Sequence, residues 1–208
     1  MLFRSDDVVE LQRHATVPVI NGLTDLLHPC QAMADYFTLS EVFGDLRGRK
    51  LAYIGDGNNV AHSLMLAAPK VGMDLTVATP EGFEPDAEIL HQSQVAARRA
   101  GVKIDVTRDP SDAATDASAI YTDVWASMGQ EDDAERRMAL FQGFEVDAEL
   151  MAKAMPEAIF LHCLPCHRGE EVSAQVVDGP QSRIFDQAEN RLHAQKAIML
   201  WLMGGVEI

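Results

Sequence analysis

The feature that most constrains the fold is an alternation of short apolar runs with amphipathic segments from residue 50 onward. Strands are predicted over 51–54, 74–78, 103–106, 119–122 and 158–161. Helices are predicted over 60–71, 86–100, 131–141 and 147–155. Glycines follow the first two helices directly, as is common at helix C-termini. Strands that alternate with helices form βαβ units, so the sequence predicts a Rossmann-like α/β domain with a doubly wound parallel sheet.

Three polar loops follow predicted strands, beginning at Asp56, Asp123 and His162. Parallel strands have their carboxyl ends at one edge of the sheet, and ligands bind there. One shared binding site is therefore the simplest prediction.

The first loop contains a partial dinucleotide motif and two asparagines. Gly55-x-Gly57 is followed by Val60 where the motif requires a third glycine, so the motif is weak. Asn58 and Asn59 stand at a predicted helix start, where asparagine is a common N-cap. A side-chain amide there also suits a carboxylate or amino group of a small ligand, and both interpretations remain open.

Two other segments carry candidate binding groups. Asp123 directly follows a buried strand, where it can pair with a ligand ammonium, and Ser127 offers a hydroxyl four residues on. Helix capping is the simpler explanation for either residue. His28 and Gln31 flank Pro29 at a predicted helix start, and their spacing of three places both on one helix face. A structural histidine and a donor to a carbonyl oxygen are both compatible with His28.

Charge and cysteine content limit the classes of partner. Lys and Arg total 17 against 32 Asp and Glu, a net charge of -15, which argues against nucleic acid and anionic membrane as partners. An odd set of three cysteines predicts reduced thiols in a cytoplasmic protein. Cys163-x-x-Cys166 has zinc-like spacing, but no second pair completes a four-ligand site.

Two helices are predicted to flank the α/β unit, over 25–43 and 187–203. The second becomes apolar on almost every side, so it requires cover on every side. The residues alone leave two explanations open, a tightly packed C-terminal helix and a helix that a neighbouring domain covers.

Four segments together resemble the ornithine carbamoyltransferase family. "LLHPCQAMADYFTL" is similar to its H-P-x-Q helix and "DVWASMGQE" to its D-x-W-x-S-M-G loop. "HCLPCHRGEEV" is similar to its H-C-L-P loop and "FDQAENRLHAQKA" to its closing helix. The resemblance covers essentially the whole chain, and the S-M-G and H-C-L-P motifs together are specific.

The resemblance implies a role for each matching residue. The implied ornithine contacts are Asn59, Asp123, Ser127 and Met128. The implied carbamoyl phosphate contacts are His28, Gln31, Cys163, the main chain of Leu164, and Arg191. The implied catalytic groups are Cys163, Asp123 and His28, with Asp123 and a thiolate-capable Cys163 taking the proton of the ornithine amine. No metal or organic cofactor is implied.

The resemblance also implies a domain division. Residues 1–45 would be a remnant of the first domain with an interdomain helix, 46–186 the ornithine-binding domain, and 187–208 a C-terminal interdomain helix. The family's S-x-R-T-R phosphate loop has no counterpart in the 208 residues. We therefore expect the chain alone to be inactive and to lack most contacts of the family's homotrimer. The alternative is a non-catalytic module that binds ornithine or a new protein partner.

Overall fold

The computed structural model of the chain describes residues 3–126 and 134–204. Within those ranges the strands are β1 (Lys50–Ile54), β2 (Asp74–Ala78), β3 (Ile104–Thr107), β4 (Ala119–Thr122) and β5 (Ile159–His162). The longer helices are α1 (Ser5–His14), α2 (Pro29–Phe43), α3 (Asn59–Val71), α4 (Ala87–Ala100) and α9 (Ile184–Leu202). The shorter helices are α5 (Pro110–Ala114), α6 (Ala134–Leu140), α7 (Ala148–Met151) and α8 (Ala174–Val177).

The described strands form one parallel sheet in the order β3-β2-β1-β4-β5. From β1 the chain winds outward to β3, and then returns to place β4 and β5 on the other side of β1. This is a doubly wound arrangement, as the sequence predicts. The winding direction reverses between β1 and β4, where such sheets open a crevice beyond their carboxyl ends.

Local sequence signals explain why α3 and α4 begin and end where they do. The side-chain oxygen of Asn58 accepts from the N–H groups of Val60 and Ala61 at the start of α3. Gly72 and Gly101 follow α3 and α4 in the left-handed conformation, with φ of 75° and 73°. Glycine adopts this conformation without the steric penalty of a Cβ atom.

The sheet is covered on both faces by apolar side chains. In β1, Leu51 and Tyr53 belong to the cluster that includes residues of α2, α3 and α4, whereas Ala52 and Ile54 belong to the cluster that includes residues of α5, α7 and α8. Successive residues of a strand point to opposite faces, which explains the division. All four side chains are inaccessible to solvent, which gives the strand ends a rigid base.

The last long helix, α9, packs along α2 and against β5, but it is not enclosed. Phe185, Trp201 and Met203 are 75%, 53% and 83% exposed. Of the two explanations that the sequence leaves open for this helix, the tightly packed one is therefore wrong for the described residues. No helix in the described ranges is both long and apolar enough to cross a membrane.

Several element bounds differ from the predicted ones. The helix predicted over 25–43 begins only at Pro29, because Thr24 and Leu27 form a hydrogen-bonded turn before it. The predicted helix over 147–155 ends at Met151. Residues 131–133 of another predicted helix lie outside the described ranges. Helix α1 was not predicted, and none of its side chains is buried.

Candidate functional site

A cleft of about 180 Å³ opens at the point where the winding of the sheet reverses. Its lining residues come from the loops after β4 and β5, from the starts of α2 and α3, and from α9. They are Leu23, His28, Gln31, Asn59, Val60, Asp123, Val124, Cys163, Leu164, Pro165 and Arg191. All predicted site residues in the described ranges are among them. Ser127 and Met128, also predicted, lie outside the described residues.

Asp123 is the most heavily hydrogen-bonded group of the cleft. Its Oδ2 accepts from Asn58 Nδ2 at 2.7 Å, and its Oδ1 accepts from Cys163 Sγ at 3.0 Å and from the Val124 N–H at 2.8 Å. The side chain follows β4 directly and is 6% exposed. Three strand-end or helix-start groups thus hold one acid in a fixed orientation beside the cleft.

The Cys163 thiol is protonated in this arrangement. Burial raises its pKa well above the usual range, and the charge of Asp123 and the hydrogen bond to it raise it further. The thiol therefore donates to the carboxylate, although part of Cys163 remains accessible from the cleft. This corrects the expectation of a thiolate-capable cysteine, because low dielectric and an adjacent anion both disfavour the charged form.

The loop after β5 is held by a buried histidine and a buried glutamate. The Leu164 N–H donates to His162 Nδ1 at 2.9 Å, so the neutral ring carries its proton on Nε2, 3.2 Å from Glu171 Oε1. Glu171 Oε1 also accepts from the His167 N–H at 2.6 Å. These contacts explain the concentration of polar residues here, because they fix the backbone that presents Cys163 and Leu164.

On the opposite side of the cleft, α3 positions His28. The His28 N–H donates to Ser63 Oγ at 2.7 Å, and Asn59 Nδ2 donates to the Thr24 carbonyl at 2.6 Å. Burial, with a smaller effect of Arg191, lowers the pKa of His28 to about 4. The ring is therefore neutral near pH 7 and has one N–H to donate.

Gln31 and Arg191 meet in the same wall. Arg191 donates through one terminal nitrogen to Gln31 Oε1, and Gln31 Nε2 donates to Asp35 Oδ1 at 2.8 Å. Arg191 Nε has no hydrogen-bond partner among the described residues. Of the described lining residues, Arg191 is the one with a permanent positive charge, so an anion would be drawn to this side.

The partial dinucleotide motif has a structural explanation. A Cβ at Gly57 would lie 2.3 Å from the backbone nitrogen of Pro85 and 2.6 Å from the carbonyl oxygen of Phe83. Glycine is therefore needed for the backbone after β1 to pass this close to the loop after β2. The Cys-x-x-Cys pair is likewise divided, since Cys163 packs against one side of the sheet and Cys166 against the other.

Sequence reasoning missed two residues that shape the site and left the role of a third open. Asn58 was considered only alongside Asn59, yet it is Asn58 that donates to Asp123. Asp35 and Gln187 are fully buried beneath Gln31 and were not singled out. Asp35 could have been found from the sequence, because it stands four residues after Gln31 and so lies on the same helix face.

Fold and cleft together define a Rossmann-like domain with a cleft at its topological switch point, the place where domains of this class bind small molecules. Within that class, the chain belongs to the aspartate/ornithine carbamoyltransferase family. The profile of the family's Asp/Orn binding domain matches residues 47–202. The profile of its carbamoyl-P binding domain matches residues 2–41.

Similar proteins cover the whole chain but are longer than it. An ornithine carbamoyltransferase of Symbiobacterium thermophilum is 61% identical over 97% of this chain and 65% of its own length. One from Thermococcus kodakarensis is 54% identical over 100% of this chain and 66% of its own. The solved ornithine carbamoyltransferase of Pyrococcus furiosus has a TM-score of 0.94 and 53% identity, over 99% of this chain and 66% of its own. The chain thus spans just under two thirds of these relatives.

Proposed function

We propose that this chain supplies the ornithine-binding part of an ornithine carbamoyltransferase, which converts carbamoyl phosphate and L-ornithine to L-citrulline and phosphate in arginine metabolism. In this proposal residues 46–186 form the ornithine-binding domain. Residues 1–45 form a remnant of the first, carbamoyl phosphate domain with an interdomain helix, and residues 187–208 form a C-terminal interdomain helix. The observation that carries the proposal is the Cys163–Asp123 hydrogen bond facing Arg191 and Gln31 across one cleft.

The ornithine side chain must lose a proton before its nitrogen can attack. Asp123 is the group suited to pair with the ammonium and accept that proton, while the Cys163 thiol orients the same carboxylate. The amine nitrogen then bonds to the carbamoyl carbon, and the bond from that carbon to the phosphate oxygen breaks. Neutral His28 donates to the carbonyl oxygen as it gains negative charge.

The phosphate side of the cleft is incomplete for this reaction. A site that holds a phosphate group relies on several charge-assisted hydrogen bonds, each contributing ~1.5–3 kcal/mol, and Arg191 is the one permanent cation among the described lining residues. The sequence contains no S-x-R-T-R string to supply the others. We therefore expect the phosphate loop to come from a segment outside these 208 residues.

A citrulline assay tests the proposal. The purified 208-residue chain should form no measurable citrulline, and adding a separately produced first domain from a close relative should restore turnover. Cys163→Ala should remove most of the restored activity, whereas Cys166→Ala, in the same loop, should leave it nearly unchanged. Turnover by the chain alone would contradict the proposed division of labour. Ornithine binding with no turnover in the mixture would favour a non-catalytic amino-acid-binding module.

A further inference from the structure

The carboxyl group of Asp35 lies fully buried beneath the cleft and does not line it. Its Oδ1 accepts from two amides, Gln31 Nε2 at 2.8 Å and Gln187 Nε2 at 2.6 Å. A buried carboxyl group costs free energy unless hydrogen bonds compensate for its desolvation. Its presence in the contact between α2 and α9 therefore requires a reason beyond packing.

The two amides have chemically different ends, and Asp35 selects which end faces it. Since Asp35 presents an acceptor, each glutamine must turn its NH₂ group inward. Gln31 Oε1 then points to Arg191. Gln187 Oε1 accepts from the His162 N–H at 2.9 Å, directly before Cys163.

The Gln187 amide has a second contact, with the Tyr121 hydroxyl group, but the His162 N–H fixes its orientation because an N–H can only donate. Gln187 Nε2 lies 3.1 Å from the Tyr121 hydroxyl oxygen, and Tyr121 is fully buried in β4. A flipped Gln187 would lose its acceptor at Asp35, whereas the Tyr121 hydroxyl group can donate to the amide oxygen in that orientation. The flipped amide would also place NH₂ against the His162 N–H, so the end of β5 would lose its anchor.

We propose that Asp35 is the positioning residue of the cleft, where its buried oxygen orients the Gln31 amide for ligand contact and, through Gln187, the strand end that carries Cys163. With Gln31 in this orientation, its oxygen can accept from an NH₂ donor such as a carbamoyl group. A flipped Gln31 would place its own NH₂ group against the NH₂ group of the ligand. The choice of a carbamoyl group as the ligand rests on the proposed function, whereas the orientation of both amides does not.

Two substitutions separate the acceptor from the charge. Asp35→Asn keeps an acceptor oxygen at Oδ1 and removes the charge, while Asp35→Leu removes the acceptor. Thr38→Val is the matched control, because Asn190 Nδ2 donates to buried Thr38 Oγ1 at 3.0 Å in the same α2–α9 contact, and the hydrogen bonds described for both glutamines involve neither residue. A general loosening of the helix pair would follow from Thr38→Val as well.

The side-chain amide NMR signals of Gln31 and Gln187 report the orientation directly. They are assigned by their disappearance in Gln31→Met and Gln187→Met. In Asp35→Leu both amides should exchange with water about tenfold faster or more, since each loses a hydrogen bond to a buried carboxyl group. Asp35→Asn should largely restore slow exchange, and Thr38→Val should not change it.

A measurement on the unmodified chain covers the case in which Asp35→Leu does not fold. Both amide signals and the Asp35 carboxyl carbon should titrate with one midpoint, and Asp35→Asn should abolish that response. The proposal is overturned if either amide fails to follow Asp35, or if Thr38→Val disturbs both amides equally. These signals do not depend on citrulline formation, so failure of the proposed function would leave this result intact.

Discussion

The two walls of the cleft differ in charge and in what holds them. The strand wall consists of Asp123 and Cys163, with Asn58 behind them, and the donors of Asn58 and Cys163 converge on the Asp123 carboxylate. The helix wall consists of His28, Gln31 and Arg191; its charge comes from Arg191, and its histidine is neutral. A ligand pair with an ammonium on one side and a phosphate on the other would be oriented by this difference.

The walls also differ in how their geometry is maintained. The strand wall is built on the ends of β4 and β5 and the first turn of α3, all supported by the fully buried sheet. The helix wall depends on contacts between side chains of α2 and α9, with Asp35 and Gln187 beneath. Rigid backbone elements preorganise the first wall, and hydrogen-bond networks preorganise the second.

The largest expected effect concerns the charge of the strand wall. Asp123→Ala should weaken ornithine binding by about 10- to 100-fold, because a charge-assisted hydrogen bond contributes ~1.5–3 kcal/mol. Norvaline lacks the side-chain amine, so its affinity should fall much less. Calorimetry with both ligands, in the mixture with the separate first domain, measures the difference.

The control for this substitution is Asp147→Ala, which removes a helix cap at α7 and leaves the cleft residues unchanged. It should change the binding affinity of neither ornithine nor norvaline. Equal losses for ornithine and norvaline in Asp123→Ala would mean that Asp123 supports the wall without pairing with the amine.

The sequence predicted the strand wall better than the helix wall. Asp123 and Cys163 follow apolar runs in βαβ units, and the topology of a parallel sheet brings such loops to one edge. The partner of Asp123 was harder, because Asn58 and Asn59 are adjacent and a one-residue rotation around α3 decides which one faces the acid. Side-chain direction at a helix start is not encoded in spacing alone.

The helix wall required long-range contacts that periodicity does not reveal. His28 and Gln31 were predicted on one face from their spacing, and both line the cleft. The contact between Asp35 and Gln187 joins residues 152 positions apart. Its existence follows from how α9 crosses α2, which an apolar pattern on α9 could not specify because that pattern extends around much of the helix.

An intermediate effect is expected in how the unfolding free energy of the chain depends on pH, through His28 in the helix wall and Asp35 beneath it. Burial raises the pKa of Asp35 to about 7 from 3.8, so its contribution to stability is full below pH 3.8 and is lost as pH rises through 7. The pKa of His28 is lowered to about 4 from 6.5, so its contribution is full above pH 6.5 and is lost as pH falls through 4. Between these values the two slopes oppose each other, each at about 1.4 kcal/mol per pH unit.

Single substitutions should expose each slope. In Asp35→Asn the unfolding free energy should rise more steeply with pH between 4.5 and 6.5 than in the unmodified chain, because the opposing Asp35 effect is removed and the His28 effect remains. In His28→Asn the slope of the unfolding free energy with pH should be lower than in the unmodified chain, because the His28 effect is removed. Urea unfolding across this range gives the three slopes. Identical slopes would show that the pKa of neither group differs between the folded and the unfolded chain.

The smallest expected effect returns to the strand wall and asks what Asp123 does to Cys163. A carboxylate beside a thiol can act as a base, which would make the thiol more reactive, or as an anion that keeps it protonated. The geometry favours the second, since the Sγ–H donates to Oδ1 and the Asp123 charge raises the pKa of Cys163 after burial has already done so.

Asp123→Asn should therefore speed alkylation of Cys163 by iodoacetamide severalfold, because thiolate is the reacting form. It should not make the thiol fully reactive, because burial is the larger cause. Cys166 in the same loop provides the internal reference for loop opening, and peptide mass spectrometry resolves the two cysteines. Slower alkylation of Cys163 in Asp123→Asn would identify the carboxylate as a base toward the thiol and would contradict the assignment of Asp123 as the anion that keeps the thiol protonated.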